Sequence, residues 1–563
     1  MKPLIGIAGL VLLAAAPLTG QQSMTSIDSA RHALNRLAYG ATSGEIETVA
    51  REGVLKWVDR QLGYGDPRDP ALSQVERGFD VLQVSMSDMQ AMLQNNRVRA
   101  ARAQAQGDSA TRQRMLDALR TEQVGNRRSL QNLIGQLQAV TLVRATASDR
   151  QLDEILSDFW TNHFNVFVNK GQDRAYFADY LERTIRGHAL GRFEDLLVAT
   201  AKSPAMLFYL DNAESVADGS DQRALARGRG AIAVQPAFGR GRRLFPNPRA
   251  GSYPGGDTPA MTRIRQAVQQ RAPRGLNENY ARELMELHTL GVDGGYTQQD
   301  VINVARILTG WGIDRRTASY TFRDAVHDEG SKVVLGQQFP AGHAEGEGMR
   351  LLKMLANSPA TMHHVSAQLC ARFVNDVPPD GCIDDAVRAW EKSGGEIRTV
   401  VRAIVHSPDF WAPVNVQSKV KTPLGFVASA IRAIGATADS TPRLAQRVGQ
   451  LGEPLFQHLT PDGYGERQED WVNSGALLAR MNFAVQLASG RMPGVSVDLD
   501  RIVPATDDHA ALIAAVDKAV LGGAMSGHTR DTILHELADV PDAHMARALA
   551  VGLAIGGPEF QRQ

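Results

Sequence analysis

Asn277-Glu278-Asn279-Tyr280-Ala281-Arg282-Glu283-Leu284-Met285-Glu286-Leu287-His288-Thr289-Leu290-Gly291 decides the fold class. Tyr280, Leu284 and Leu287 recur at i, i+4 and i+7, a spacing that predicts a helix with those three on its core face. Glu278, Arg282 and Glu286 form a ladder along one edge, with Glu before Arg, the favourable order. Asn279 and Glu283 make a second polar row, and His288 falls one turn beyond Leu284 on the apolar side. Asn277 is placed to cap the start and Gly291 to end the helix. Working outward, the same helical period recurs on both sides. The expected class is mainly α: a large multi-helix body with one small β-hairpin and a long disordered insertion.

Towards the N-terminus, helical periods cover about 29–40 and 43–62, and a Met/Gln/Ala/Arg-rich stretch over about 81–121 predicts a long exposed helical hairpin. An amphipathic helix from Leu130 leads into the buried-looking run Phe159-Trp160-Thr161-Asn162-His163-Phe164-Asn165-Val166-Phe167. Residues 214–274 are rich in Gly, Arg and Pro without sustained period, so they are expected to form a mobile basic insertion, either a passive loop or a lid. Beyond the central helix, Thr297-Gln298-Gln299-Asp300 reads as a capping box. Tyr320-Thr321-Phe322 and Lys332-Val333-Val334-Leu335 read as the two strands of the hairpin. Three segments follow: a leader at 1–22, a main helical domain at 23–490, and a C-terminal helical extension at 491–563 packed on it.

The 563 residues carry 61 basic and 61 acidic side chains, so no net field favours nucleic acid, and nucleic-acid binding is not expected. Lys2 followed by the apolar run Leu4 to Ala16 reads as a secretory signal, with an uncleaved anchor as the alternative; the mature chain has no further spanning run. A periplasmic or secreted location is therefore expected. Export would place the only two cysteines, Cys370 and Cys382, in an oxidising compartment where they pair; two reduced buried thiols are the alternative.

Nucleophile-elbow, phosphate-loop, dinucleotide and HExxH signatures are absent. What remains is a dispersed polar set within apolar segments, and buried polar groups need partners or a ligand. Glu283, Glu286, His288 and Asp211 are the candidate catalytic residues. Arg282, Asn279, Asn162 and Asn212 are candidate ligand-binding groups. His163, His327 and Asp328 are candidate metal ligands, a mixed N/O set suited to a divalent ion, although nothing in the sequence requires a cofactor. Core histidines satisfied by carbonyls, a metal centre, and metal-free acid–base chemistry all stay open.

These motifs resemble the bacterial family called domain of unknown function 1800. The resemblance rests on His32-x-x-Asn35-Arg36-x-x-Tyr39-Gly40, Phe159-Trp160-x-Asn162-His163-Phe164, Tyr209-Leu210-Asp211-Asn212 and the central helix. It continues through Leu308-Thr309-Gly310-Trp311, His327-Asp328-x-Gly330-x-Lys332, Lys421-Thr422-Pro423 and Trp471-Val472-Asn473. The long insertion, His363-His364 and Tyr464 depart from the family pattern. The resemblance implies an exported helical protein and, through gene neighbourhood, a partner of the family called domain of unknown function 1501, itself similar to sulfatases and phosphatases. It implies no reaction. The functional expectation is a hydrolytic enzyme acting on an extracytoplasmic glycan or other polar envelope material through a polar or anionic ligand site. The alternative is a non-catalytic binding or assembly partner of that phosphatase-like family.

Overall fold

The computed structural model describes residues 24–66, 68–90, 129–218 and 275–563. The expected leader, most of the expected long hairpin at 81–121, and the insertion from residue 219 to 274 lie outside the described residues. Among the described residues the class is mainly α, with three two-stranded sheets. One continuous apolar cluster runs from Ala30 to Phe560, with Trp57, Trp160, Trp311 and Trp390 fully buried in it.

The central stretch folds as the helix Asn279–Met285, but it continues as a π-turn over Glu286–Leu290. Thr289 Oγ1 donates to Leu284 O at 2.6 Å, five residues back. A wider turn delays the phase of everything after it, so His288 rotates onto the face of Tyr280 and Leu284 while Leu287 turns to the edge. Tyr280, Leu284 and His288 are buried; Leu287 is only half-buried, contrary to the regular-helix expectation. The next helix, Gln298–Ile307, starts at the expected capping box of Thr297 and Asp300.

The expected hairpin is corrected. Ser319–Phe322 pairs back onto Trp311–Asp314, with Trp311 opposite Phe322, while Lys332–Val334 pairs forward onto Gln337–Phe339 across Leu335-Gly336. Both turn residues have positive φ, 50° and 75°. A two-residue turn of this type matches strand twist and closes a shorter loop than the nine residues separating Phe322 from Lys332. The first residues of the expected insertion also dock: Val216 and Ala217 are buried, and their amides donate to Gly275 O and Val326 O.

The segment after residue 490 packs on the rest through Ala543–Gly556, which lies along Ser474–Ala488. Contact is backbone-close: a Cβ on Gly552 would sit 3.0 Å from Val485 Cα. The helices Pro359–Phe373 and Asp380–Ser393 are joined by the Cys370–Cys382 disulfide, with a Cα–Cα distance of 6.2 Å. Closing this loop of 12 residues constrains the unfolded chain, so reduction is expected to cost about 2–3 kcal/mol. Denaturant melts with and without reductant check this, and free thiols in denatured, non-reduced protein would contradict it.

Candidate acid–base site

The expected site residues fall into several groups. His163 and His288 meet: His163 Nε2 lies 3.3 Å from His288 O, and the ring centroids are 6.2 Å apart. Both rings are buried, and burial drives both pKa values down to about 3, with a neighbouring imidazole adding to each shift. Among the described residues His288 Nε2 has no hydrogen-bond partner, and neither does Nε2 of His364, the departure from the family pattern that packs against Gly291. This is a closed, neutral core cluster beside the π-turn.

His327 belongs elsewhere. Its Nδ1 is 2.8 Å from Thr309 O and its Nε2 is 2.6 Å from Glu347 Oε1, which also accepts from Lys332 Nζ at 2.7 Å. Asp328 takes two hydrogen bonds from Arg306, at 2.9 and 3.2 Å. These pairs staple the strand Lys332–Val334 to the helices Gln298–Ile307 and Glu345–Ala356. Among the described residues, no group of three or more His, Cys, Asp or Glu is placed to hold a metal ion. His163, His327 and Asp328 are therefore not assembled as one ligand set.

On the outer side of the central helix, Arg282 pairs with Glu278 at 3.6 Å and donates to Gln298 at 2.7 Å, while Glu286 accepts from Tyr296 OH. The carboxyl of Glu283 is held above its usual range by burial, then by Glu286 and Asp462. Asn279 is exposed, and its amide is tied to Asn277 Oδ1. Asp211, at φ 58°, pairs with Lys170 at 2.8 Å and is 60% exposed, so the pair is a surface one. Asn212 is buried and donates to Leu308 O, and its Oδ1 has no partner among the described residues.

Asn162 leads to a different place. Its amide makes two reciprocal bonds with the backbone of Tyr464, at 2.7 and 2.8 Å. Gly463, at φ 70°, passes so close that a Cβ would come within 2.4 Å of Asn162 O, so only glycine fits there. Trp471 Nε1 holds the other side through Gly465 O at 3.0 Å. The resulting strap, 463–465, borders a half-open cavity of about 40 Å³, room for roughly three waters.

One turn before Asn162 on the buried helix Gln151–His163, Asp158 faces the same cavity; Arg372, Glu453, Glu466 and Tyr464 also line it. Arg372 donates to Asp158 Oδ2 at 3.0 Å and to both oxygens of Glu466 at 3.1 Å. The Asp158 side chain keeps 24% exposure. Glu453 is buried and accepts from Leu424 N at 2.7 Å, at the start of the helix Pro423–Ala433. Burial raises the Asp158 carboxyl to about 6 against the pull of Arg372. Burial, then the Asp158 charge, raises Glu453 to about 8. Phe456 in the lining carries a positive φ of 65°, a strained conformation for a bulky residue, and its carbonyl accepts from Val168 N.

Three carboxyls around one guanidinium, beside space for water, is the arrangement acid–base chemistry uses: two acids whose surroundings push their proton affinities apart. Of the candidate catalytic, ligand-binding and metal residues read from sequence, only Asn162 lines this cavity. Asp158 adjoins the Phe159-Trp160 motif and sits four residues before Asn162, a helical spacing that places the two on one face.

A protein-family model described as a protein of unknown function, DUF1800, matches residues 32–562. The chain belongs to this family. The match covers the Asp158 cavity and the central helix, and it continues through the helices after residue 490. No curated protein and no solved structure matches the chain. Among the described residues, no helix is long and apolar enough to cross a membrane.

Proposed function

We propose that this chain is an exported hydrolase acting on an extracytoplasmic glycan or other polar envelope material, with Asp158 and Glu453 as its acid–base pair. The observation that carries the reading is the cluster of Asp158, Glu466 and buried Glu453 around Arg372, bordering a water-sized cavity beneath a strap of close-approach glycines. The apolar leader at the N-terminus and the Cys370–Cys382 disulfide support export.

Asp158, held ionised by Arg372 at the lower of the two pKa values, takes a proton from a cavity water. Glu453, neutral until higher pH, gives a proton to the leaving oxygen as water adds and the bond to the substrate breaks. Arg372, engaged by Asp158 and Glu466, fixes the base in place; Asn162 and Trp471 fix the strap.

The pH dependence of kcat/KM tests the pairing. Activity is expected to rise as Asp158 loses its proton near pH 6 and to fall as Glu453 loses its own near pH 8. Asp158→Asn and Glu453→Gln, each checked for folding by circular dichroism, are expected to lose roughly 10²–10⁴-fold of turnover on envelope glycans. Folded variants with undiminished turnover, or a wild-type chain that cleaves no envelope glycan, would refute the proposal.

A further inference from the structure

The lining of the Asp158 cavity divides by hydrogen-bonding role. Most of its neutral donors are committed to the protein itself. The Thr161 hydroxyl donates to Ser157 O at 2.6 Å, the Asn162 amide to Tyr464 O at 2.8 Å, and the Asn165 amide to Thr460 O at 2.7 Å. The Tyr464 hydroxyl donates to Pro454 O at 2.9 Å and the Trp471 indole to Gly465 O at 3.0 Å. Acceptors are left over. Glu453 is 6% exposed, and among the described residues only its Oε2 has a partner, the Leu424 amide; Oε1 has none, although the side chain lines the cavity. Asp158 likewise engages Arg372 through Oδ2 alone. A buried carboxyl with an unbonded oxygen beside open space marks a place for the polar atom of a ligand.

Charge gives that ligand its sign. With Glu453 neutral, the carboxylates of Asp158 and Glu466 still outnumber the guanidinium of Arg372, whose bonds go to those two groups. Other charges nearby do not redress the balance. Lys419 is held by Asp376 and donates to Glu466 O, and Arg480 acts on Glu453 without lining the cavity. Tyr39, close to Asp158, is kept protonated by burial. An anion here would meet two carboxylates, whereas an ammonium brings both donors and the missing positive charge.

We propose that this cavity takes a protonated primary amine of the substrate, so that the material cleaved is an envelope glycan with free amino sugars rather than an acidic or N-acylated one. The inference rests on the hydrolase reading, since it takes the cavity as the place where that substrate enters. Room for roughly three waters accepts an ammonium group and leaves the sugar ring at the half-open mouth. An acetylated nitrogen is bulkier, carries no charge and keeps a single donor.

Ligand-observed NMR titrations of the full chain with glucosamine, glucose, glucuronate and N-acetylglucosamine at pH 7 test it. Glucosamine is expected to bind at least about 10-fold tighter than each of the others, the worth of one charge-assisted hydrogen bond. Between pH 7 and pH 5 the ionised fraction of Asp158 falls from about nine-tenths to about one-tenth, so the advantage should shrink several-fold. Amine held by ordinary surface carboxylates, which titrate near about 4, would keep its advantage at pH 5. Glu466→Gln, checked for folding by circular dichroism, should shrink the advantage likewise; where that variant does not fold, the wild-type pH series decides. Glucosamine bound no tighter than glucose, glucuronate bound tightest, an advantage unchanged at pH 5, or a folded Glu466→Gln chain that keeps it would each overturn the proposal. Binding is read here without turnover. A chain that cleaves envelope glycans yet shows no preference for glucosamine loses the amine site and keeps the hydrolase, while one that prefers glucosamine and cleaves nothing keeps the amine site alone.

Discussion

Arg372→Met is expected to cost about 3–5 kcal/mol at pH 8, the penalty for leaving buried charge without its partner. Arg372 is the guanidinium that Asp158 and Glu466 share, and it is 8% exposed. Without it, Asp158 and Glu466 face each other and Glu453 across a cavity with room for only a few waters. The loss should shrink as the pH falls below about 6, because protonated carboxyls no longer need the counter-charge; Asp158 already titrates near 6 in the intact protein. Urea melts at pH 5 and pH 8 read this directly. A loss under about 1 kcal/mol at pH 8, or one equal at both pH values, would mean that the carboxyls are not held together by Arg372.

The second large effect concerns the closed histidine cluster. His288 is neutral in the fold, with a pKa of about 3, while an unfolded histidine titrates at 6.5. Below pH 6.5 the unfolded chain binds a proton that the folded chain refuses, so the stability from neutral burial is complete above 6.5 and drains away as the pH falls towards 3. At pH 5 the loss is about 2 kcal/mol for this one group. Asp153 and Glu453 act in the opposite sense. Their folded pKa values are raised to about 7 and about 8, so their contribution is complete at low pH and lost as the pH rises. The wild-type curve therefore mixes opposing terms, and a difference isolates the histidine. His288→Phe, which removes an unpartnered nitrogen, should change stability by less than about 1.5 kcal/mol at pH 7.5. At pH 5 it should be about 2 kcal/mol more favourable relative to wild type than at pH 7.5. A variant-minus-wild-type difference flat across that range would show that His288 is not buried neutral.

Much of the helical architecture was legible because it is written locally. The apolar period of the central helix, the capping box of Thr297 and Asp300, and the polar ladder of Glu278 and Arg282 are interactions within a few residues. The π-turn was not legible, since no residue type announces one, and it turns Leu287 out to the edge while His288 keeps its expected place on the apolar side. The hairpin partners were misjudged because two strand-like runs were joined across a long segment, when each had a nearer neighbour with a tighter turn. The cavity was the least legible part. Asp158 and Arg372 are 214 residues apart, and Asn162 and Tyr464 are 302 apart; a lone acid next to Phe159 and Trp160 carries no periodic signal. Burial in the folded chain, not spacing along it, raises the pKa values there.

The way the first described helix is anchored also bears on how the chain comes to exist. His32 bonds to the carbonyl of Phe410, and Arg36 to that of Asn415, 378 and 379 residues later; Gln561 and Gln563 then pair with Lys421 and Lys419 in the same region. A ribosome adding about 5–20 residues per second leaves the opening helix without its dock for tens of seconds. The final anchoring of this helix is therefore a late, high-contact-order event. Throughout that interval His32 and Arg36 lack the carbonyls that hold them, and the helix has only its near neighbours Glu45–Glu52, Val54–Gly63 and Gln151–His163 to pack on.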